Sequence, residues 1–214
     1  KKKKESALIM RKQTKLVAVL STAALLAIGA SMTSFAATGW AEEDGTWVYY
    51  NRDGERATDQ WKKSGNNWYW LNSDGEMAID QLIEDGDNYY YVDINGVMAA
   101  NQWVAIDNED AGQDDEPDHY WYYFQANGKA LKNGDNAKVA LKTINGKKYA
   151  FDDEGKMLYG WVSEDNAERV DDTDGDGFKE GTYYFGGEDD GAMTVGWLQM
   201  DITYDEATND NEIA

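Results

Sequence analysis

Gln60-Trp61-Lys62-Lys63-Ser64-Gly65-Asn66-Asn67-Trp68-Tyr69-Trp70-Leu71-Asn72-Ser73-Asp74-Gly75 holds an opening Trp, a polar turn, an aromatic cluster and a closing Gly. The same phrase precedes it as Gly39-Trp40, Trp47-Val48-Tyr49-Tyr50 and Gly54, and follows it as Leu82, Tyr89-Tyr90-Tyr91 and Gly96. Trp40, Trp61, Leu82 and Trp103 stand 21 residues apart. A fixed period of this length predicts stacked units, each contacting its neighbours, instead of one globular core.

Each unit carries two turn signals. Asp44-Gly45 and Asp53-Gly54 bracket the first cluster, Ser64-Gly65 and Asp74-Gly75 the second, and Asp85-Gly86 and Asn95-Gly96 the third. Asp-Gly and Asn-Gly supply the positive φ angles of tight hairpins, and the residues between them are strand formers. A lone hairpin is marginal in water, so each must lean on the next. The expected fold is all-β, a β-solenoid of stacked short hairpins preceded by a cleaved signal peptide.

Seven and six residues before a closing Gly stand Trp47-Val48, Trp68-Tyr69, Tyr89-Tyr90 and Trp121-Tyr122; five and four before it stand Tyr49-Tyr50, Trp70-Leu71, Tyr91-Val92 and Tyr123-Phe124. Side chains alternate along a strand, so the seventh and fifth positions share one face and the sixth and fourth the other. Both faces are apolar, which predicts that one forms the core and the other lines clefts between hairpins.

Later units are looser. Asn145-Gly146, Tyr149-Ala150-Phe151, Gly155, Met157 and Gly160-Trp161 make one; Tyr183-Tyr184-Phe185, Gly191, Met193 and Gly196-Trp197 make the last. We divide the chain into a signal peptide at 1–36, a repeat array at 37–200, and an incomplete repeat or acidic tail at 201–214. Acidic insertions near 106–118 and 163–181 interrupt the period between an opening Trp and its cluster, where a hairpin turn can lengthen.

All nine Trp and all fourteen Tyr lie beyond residue 39. The start is different material: Lys1 to Lys4, Arg11, Lys12 and Lys15 precede the apolar run Leu16 to Ala30, and Ser34-Phe35-Ala36 satisfies the small-x-small rule for cleavage after Ala36. The run is short for a bilayer span. Met10 heads an ordinary basic segment, so translation is expected to begin there. Without residues 1–36 the chain has 13 basic and 40 acidic residues, a net of −27 against −21 for the whole. Such a surface repels nucleic acid and anionic lipid. It favours solubility, or attraction of a cationic ligand or Ca2+. The chain has no Cys, which excludes a disulfide scaffold.

These repeats resemble the cell-wall-binding repeats of Gram-positive bacteria, the choline-binding and glucan-binding family. The pattern of Gly-Trp, Trp-Tyr-Tyr-Phe, Asp-x-x-Gly-x-Met and Gly-Trp is met best by Trp121-Tyr122-Tyr123-Phe124 with Gly128, Gly155-Lys156-Met157 with Gly160-Trp161, and Gly191-Ala192-Met193 with Gly196-Trp197. The resemblance runs from about Gly39 to Met200 in six copies. It implies a secreted protein held non-covalently at the cell wall, with aromatic clefts for choline or glucan. It also implies the candidate ligand-binding residues: the openers Trp40, Trp61, Trp103, Trp161 and Trp197; the cluster residues Trp47, Tyr49, Trp68, Trp70, Tyr89, Tyr91, Trp121, Tyr123 and Tyr184; and Met77, Met98 and Met193. One expected cage groups Trp61, Trp68, Tyr91 and Met77, and another Trp161, Tyr184 and Met193. Leu82, Arg56, Ala130 and Lys148 depart from the pattern, and each removes a wall. The alternative is a structural or adhesive surface protein whose aromatics are mainly core; a third reading is the anchor half of a hydrolase or toxin.

Asp172-Thr173-Asp174-Gly175-Asp176-Gly177 matches the opening of a Ca2+ loop, but Tyr183 stands where a bidentate Glu is needed. Asp172, Asp174 and Asp176 are candidate metal ligands, with a solvated acidic loop as the alternative. His119 is the single His and no nucleophile motif adjoins it, so we expect no enzyme. Secreted protein should begin at Ala37; mass analysis showing an N-terminus upstream of Ser31 would contradict the assigned signal.

Overall fold

Asp44 and Gly45 have φ of 51° and 84°, and Asn145 and Gly146 have 49° and 83°. Both pairs carry the two positive φ angles of a two-residue turn whose twist matches its strands. Gly65 and Gly86, at 58° and 59°, open the two-residue loops 65–66 and 86–87. These turns fold the chain into hairpins in the computed structural model, which describes residues 38–113, 116–170, 172, 175 and 177–200. The signal segment 1–36, the tail 201–214, and Asp174 and Asp176 of the acidic loop lie outside the described residues.

Among the described residues twelve strands form six separate two-stranded antiparallel sheets. The first three hairpins are β1 (Gly39–Glu43) with β2 (Thr46–Tyr50), β3 (Gln60–Ser64) with β4 (Asn67–Leu71), and β5 (Gln81–Asp85) with β6 (Asn88–Val92). The last three are β7 (Gln102–Asp107) with β8 (His119–Phe124), β9 (Lys142–Ile144) with β10 (Lys147–Tyr149), and β11 (Trp161–Val162) with β12 (Tyr183–Tyr184). No α-helix occurs among these residues; one 3-10 turn spans Gly177–Lys179. The acidic stretches connect β7 to β8 and β11 to β12, so both lengthen hairpin turns.

After each closing strand the chain makes a second turn. Gly54, Gly75, Gly96, Gly128 and Gly155 each donate their amide to the carbonyl three residues back. The side chain at that position seals the turn: Asn72 Oδ1 accepts from the amides of Asp74 and Glu76, and Asp93 Oδ1 from those of Asn95 and Val97. Asp and Asn favour turns because their short side chains can bond the backbone two residues on.

The next segment joins the hairpins. Met77 donates its amide to Trp47 O at 2.8 Å, and Ala78 donates to Trp70 O at 2.9 Å. One amide thus reaches back to the preceding hairpin and the next returns to its own. The reach-back recurs as Met98 to Trp68, Ala130 to Tyr89, Met157 to Trp121 and Met193 to Lys148, at 2.8–2.9 Å. Every hairpin is thereby stacked in the same register on the one before.

The fourth position before Gly75, Gly96, Gly128 and Gly155 supplies the core: Leu71, Val92, Phe124 and Phe151 are each at most 1% exposed. In the first hairpin the sixth position does so instead, with Val48 1% exposed and Tyr50 half-buried. The stack is tight at the closing glycines: a Cβ on Gly96 would stand 2.9 Å from Met77 Cε, whereas one on Gly65 would meet nothing within 4 Å. Both have positive φ, so both alanine variants carry left-handed strain. Gly96→Ala is expected to lose about 1–3 kcal/mol more stability than Gly65→Ala, which denaturant unfolding of the two variants measures.

Candidate functional site

Cross-strand pairing fixes which rings share a face. Trp61 lies opposite Trp70 and Lys63 opposite Trp68, so this face of the second hairpin carries three indoles. It abuts the opposite face of the third hairpin, where Tyr90 stands. Trp61 meets Trp70 at 5.2 Å and Tyr90 at 5.1 Å between ring centroids. Trp68 is 41% exposed, while Trp70 is 8% exposed and belongs to the core. The space between Trp61, Trp68, Tyr90 and Met98 is an open cleft of about 670 Å3.

A cleft therefore takes its opener and outer ring from one hairpin, and its third ring and Met from the next. Trp61 Nε1 donates to Asp85 Oδ2 at 3.1 Å, which locks the ring and sets a carboxylate beside the cleft. Burial, helped by the Asp85 charge, pushes the Tyr90 hydroxyl pKa up, so that phenol stays neutral. Asn66, Asn67 and Asn127 also line the cleft; its ring faces and the nearby carboxylate suit a cation, each ring contributing ~0.5–2 kcal/mol. One cation is already close: Lys63 Nζ lies 5.7 Å from the centre of the Trp68 ring.

The same register brings Trp40, Trp47, Tyr69 and Met77 together in the first cleft. Trp40 meets Tyr69 at 5.3 Å, and Met77 bonds the Trp47 carbonyl. The fourth cleft joins Trp103, Trp121, Tyr149 and Met157 in one apolar cluster, with Trp103 and Tyr149 centroids 4.9 Å apart. Here too an indole holds a carboxylate: Trp121 Nε1 donates to Asp189 Oδ1 at 3.0 Å, and His119 Nε2 lies 3.0 Å from the same oxygen. The Trp121 N–H, aided by His119, holds the Asp189 pKa below the usual carboxylate range.

The third and fifth clefts are closed. Leu82 and Ala130, two departures from the repeat pattern, meet in the third cleft and pack with Tyr89 and Tyr122. Lys132 Nζ covers Tyr89 at 5.9 Å. In the fifth, Leu141, Tyr183 and Met193 pack on the core around Ala150, and exposed Lys148 takes the outer-ring position. Arg56 removes no wall from a cleft among the described residues. It stands in the Met position of the first hairpin and pairs with Glu43 and Tyr50.

The structure assembles the second cleft differently from the counting that grouped Tyr91 and Met77 with Trp61 and Trp68. Tyr91 faces the third cleft, stacks on Phe124 at 6.1 Å and donates its hydroxyl to Asp80 Oδ1 at 2.5 Å. Met77 serves the first cleft and Met98 the second. The grouping of Trp161, Tyr184 and Met193 divides as well: Trp161 pairs with Tyr184 at 5.0 Å, while the amide of Met193 reaches back to Lys148. Trp161 is covered by its own insertion, since a Cβ on Gly181 would lie 2.7 Å from its ring. Tyr49 and Tyr123 pair across their strands with Trp40 and Trp103. Trp197 is fully exposed, with no hairpin beyond it among the described residues. Asp172 bonds the Gly177 amide at 2.8 Å.

Tyr69, Tyr90, Tyr149 and Met157 were missed as cleft walls. Face alternation puts the three Tyr on the face opposite the openers, but only the stacking offset sets each against the opener of the unit before it.

A choline-binding repeat model matches residues 57–103, and a cell wall binding repeat model matches residues 120–130. No curated protein matches the chain. Among solved structures, the modular autolysin LytC of Streptococcus pneumoniae, in complex with a synthetic peptidoglycan ligand, is 23% identical over 77% of this chain and 30% of its own, with a TM-score of 0.50. The choline binding domain of Spr1274 of S. pneumoniae is 33% identical over 44% of this chain and 95% of its own, with a TM-score of 0.33. Choline binding protein F of S. pneumoniae is 26% identical over 77% of this chain and 47% of its own, with a TM-score of 0.48. The chain thus spans less than half the length of the autolysin and of protein F; the likeness to the autolysin is one of fold.

Exposure separates wall from core. Trp68→Ala should fold with a loss of about 1–2 kcal/mol, while Trp70→Ala should lose about 3–5 kcal/mol. Chemical denaturation followed by circular dichroism checks the pair, and equal losses would place Trp68 in the core.

Proposed function

The chain belongs to the choline-binding repeat family of cell-wall-binding proteins, and from that premise we propose that it is exported and attaches non-covalently to the bacterial wall. Attachment runs through choline or another quaternary ammonium group of a wall polymer. The stacked hairpins wind as a β-solenoid, and the ligand sits between hairpins. Binding is the activity; no residue is assigned a catalytic part.

The second cleft carries this reading. Trp61, Trp68 and Tyr90 present ring faces, Met98 adds a polarisable thioether, and Asp85 sets a negative charge behind Trp61. Trimethylammonium forms no hydrogen bond and is attracted to ring faces and carboxylates, which these walls supply. The first and fourth clefts share the rings and the Met, though Trp40 Nε1 holds no carboxylate and Tyr149 and Met157 of the fourth are buried; the third and fifth are filled and serve stacking alone. Several weak clefts on one chain bind a polymer far more tightly than any one of them, because later contacts are intramolecular.

Lys63 tunes the second cleft. Its ammonium lies over Trp68, where it competes with a cationic ligand and repels it. Glu42 holds the equivalent place opposite Trp47 and Ala105 opposite Trp121, and in the first hairpin the neighbouring ammonium, Lys62 Nζ, lies 4.7 Å from the centre of the Tyr49 ring.

Mature protein should be retained on choline-bearing walls and released by free choline; release by a soluble glucan instead would favour the glucan-binding reading. Trp61→Ala should weaken choline binding at the second cleft about 2- to 30-fold. Lys63→Ala should strengthen it about two- to fivefold and leave unchanged the affinity for 3,3-dimethylbutanol, the uncharged isostere. Calorimetry and indole N–H resonances read both.

A further inference from the structure

A second opening, of about 450 Å3, lies between the fourth and fifth hairpins, and its walls are more polar. Its rim carries the amides of Asn101, Gln125 and Asn145 and the hydroxyls of Tyr123 and Thr143. Among the described residues, the side chains of Asn101, Asn145, Tyr123 and Thr143 make no hydrogen bond. Gln125 uses only one amide hydrogen, donated to Lys129 O at 3.3 Å.

One hairpin earlier the corresponding place is sealed. There Tyr91 donates to Asp80 Oδ1 and stacks on Phe124. In the fourth hairpin Tyr123 stands where Tyr91 stood and Asn101 replaces Asp80, so a carboxylate that only accepts becomes an amide that also donates. The facing strand is the short β9, with Lys142 and Thr143 in the positions of Val104 and Ala105. Leu131 and Ile144 leave an apolar floor beneath these polar groups.

We propose that this groove is a saccharide subsite for a neutral pyranose unit. A sugar offers hydroxyls that both donate and accept, with apolar C–H faces between them. The groove matches both, through amides and hydroxyls above a ring and two aliphatic side chains. Its size falls within the range of small-molecule sites, roughly 300–1,000 Å3. Asn101 and Asn145 occupy turn backbone with φ of 52° and 49°, so the sheet framework positions their amides. The groove adjoins the fourth cleft across Trp103, which meets Tyr123 at 5.2 Å on one side and Tyr149 at 4.9 Å on the other. Resting on the wall-binding reading, this makes the pair a composite site: the cleft takes the ammonium substituent and the groove the sugar of the same polymer.

The test uses the 15N-labelled mature chain titrated with chitotetraose, an N-acetylglucosamine tetramer, and with isomaltotetraose, a glucose tetramer, into the millimolar range. The side-chain amides of Asn101, Gln125 and Asn145 are expected to shift with at least one sugar; chitotetraose alone would identify peptidoglycan-like glycan, and isomaltotetraose alone a glucan. The double variant Asn101→Asp/Asn145→Asp keeps size and turn preference but removes four donors. It should weaken sugar binding about tenfold while the Trp121 indole still responds to choline. Absence of amide shifts with both sugars, or equal affinity in the double variant, would overturn the subsite. If instead no cleft indole responds to choline, the ammonium-binding reading fails, and a positive sugar response leaves the subsite standing.

Discussion

The amide that follows each closing glycine by two residues, bonded to a carbonyl of the preceding hairpin, is the contact on which the stack depends. A two-stranded sheet of strands two to six residues long buries too little to persist in water. The bond from Met77 to Trp47, repeated down the chain, converts six such sheets into one stack. It also sets the spacing between facing rings, because the residue that donates it is the one whose side chain closes the cleft. Main-chain geometry thus delivers the Met or Ala to the same place each time, and the side chain decides whether the cleft is open.

That choice divides the clefts into two kinds. In the second cleft, where three aromatic rings and Met98 meet, the rings leave open space, and Trp68 stays 41% exposed. Where Leu82 meets Ala130, Tyr122 closes down and the cleft becomes core. Filling favours stability through apolar burial, while leaving a Trp exposed gives up some of that gain. An exposed indole beside a half-buried and a buried one is better explained by what it binds than by what it holds together.

Much of this was legible in the residues. The hairpins, their turns and the shared faces follow from Asp-Gly and Asn-Gly signals and from strand alternation. Stacking followed from the period. The partners across a cleft did not, because they depend on how far one hairpin is offset from the next, and that offset is set by main-chain bonds that leave no trace in side-chain chemistry. Tyr91 therefore read as a wall of the second cleft, although its hydroxyl is bound to Asp80 and its ring faces the next hairpin along. The last unit shows a related limit. Its closing loop is longer than in the earlier units, so counting back from Gly191 misaligns Tyr183 and Tyr184 by two positions, and only the pairing of Trp161 with Tyr184 restores the match.

Because each binding cleft is completed across a hairpin boundary, the sequence repeat and the working unit are out of phase by half a step. Leu82 and Ala130, 48 residues apart and in different repeats, are two halves of one filled cleft, and either alone removes a wall. With one of them in place, the other has only packing to serve. Duplication of one repeat would copy the latter half of one cleft and the first half of another, so new clefts arise intact only when the neighbours on both sides already match. Decay in such an array should therefore appear as coupled pairs of substitutions in adjacent repeats, with intact clefts persisting on either side.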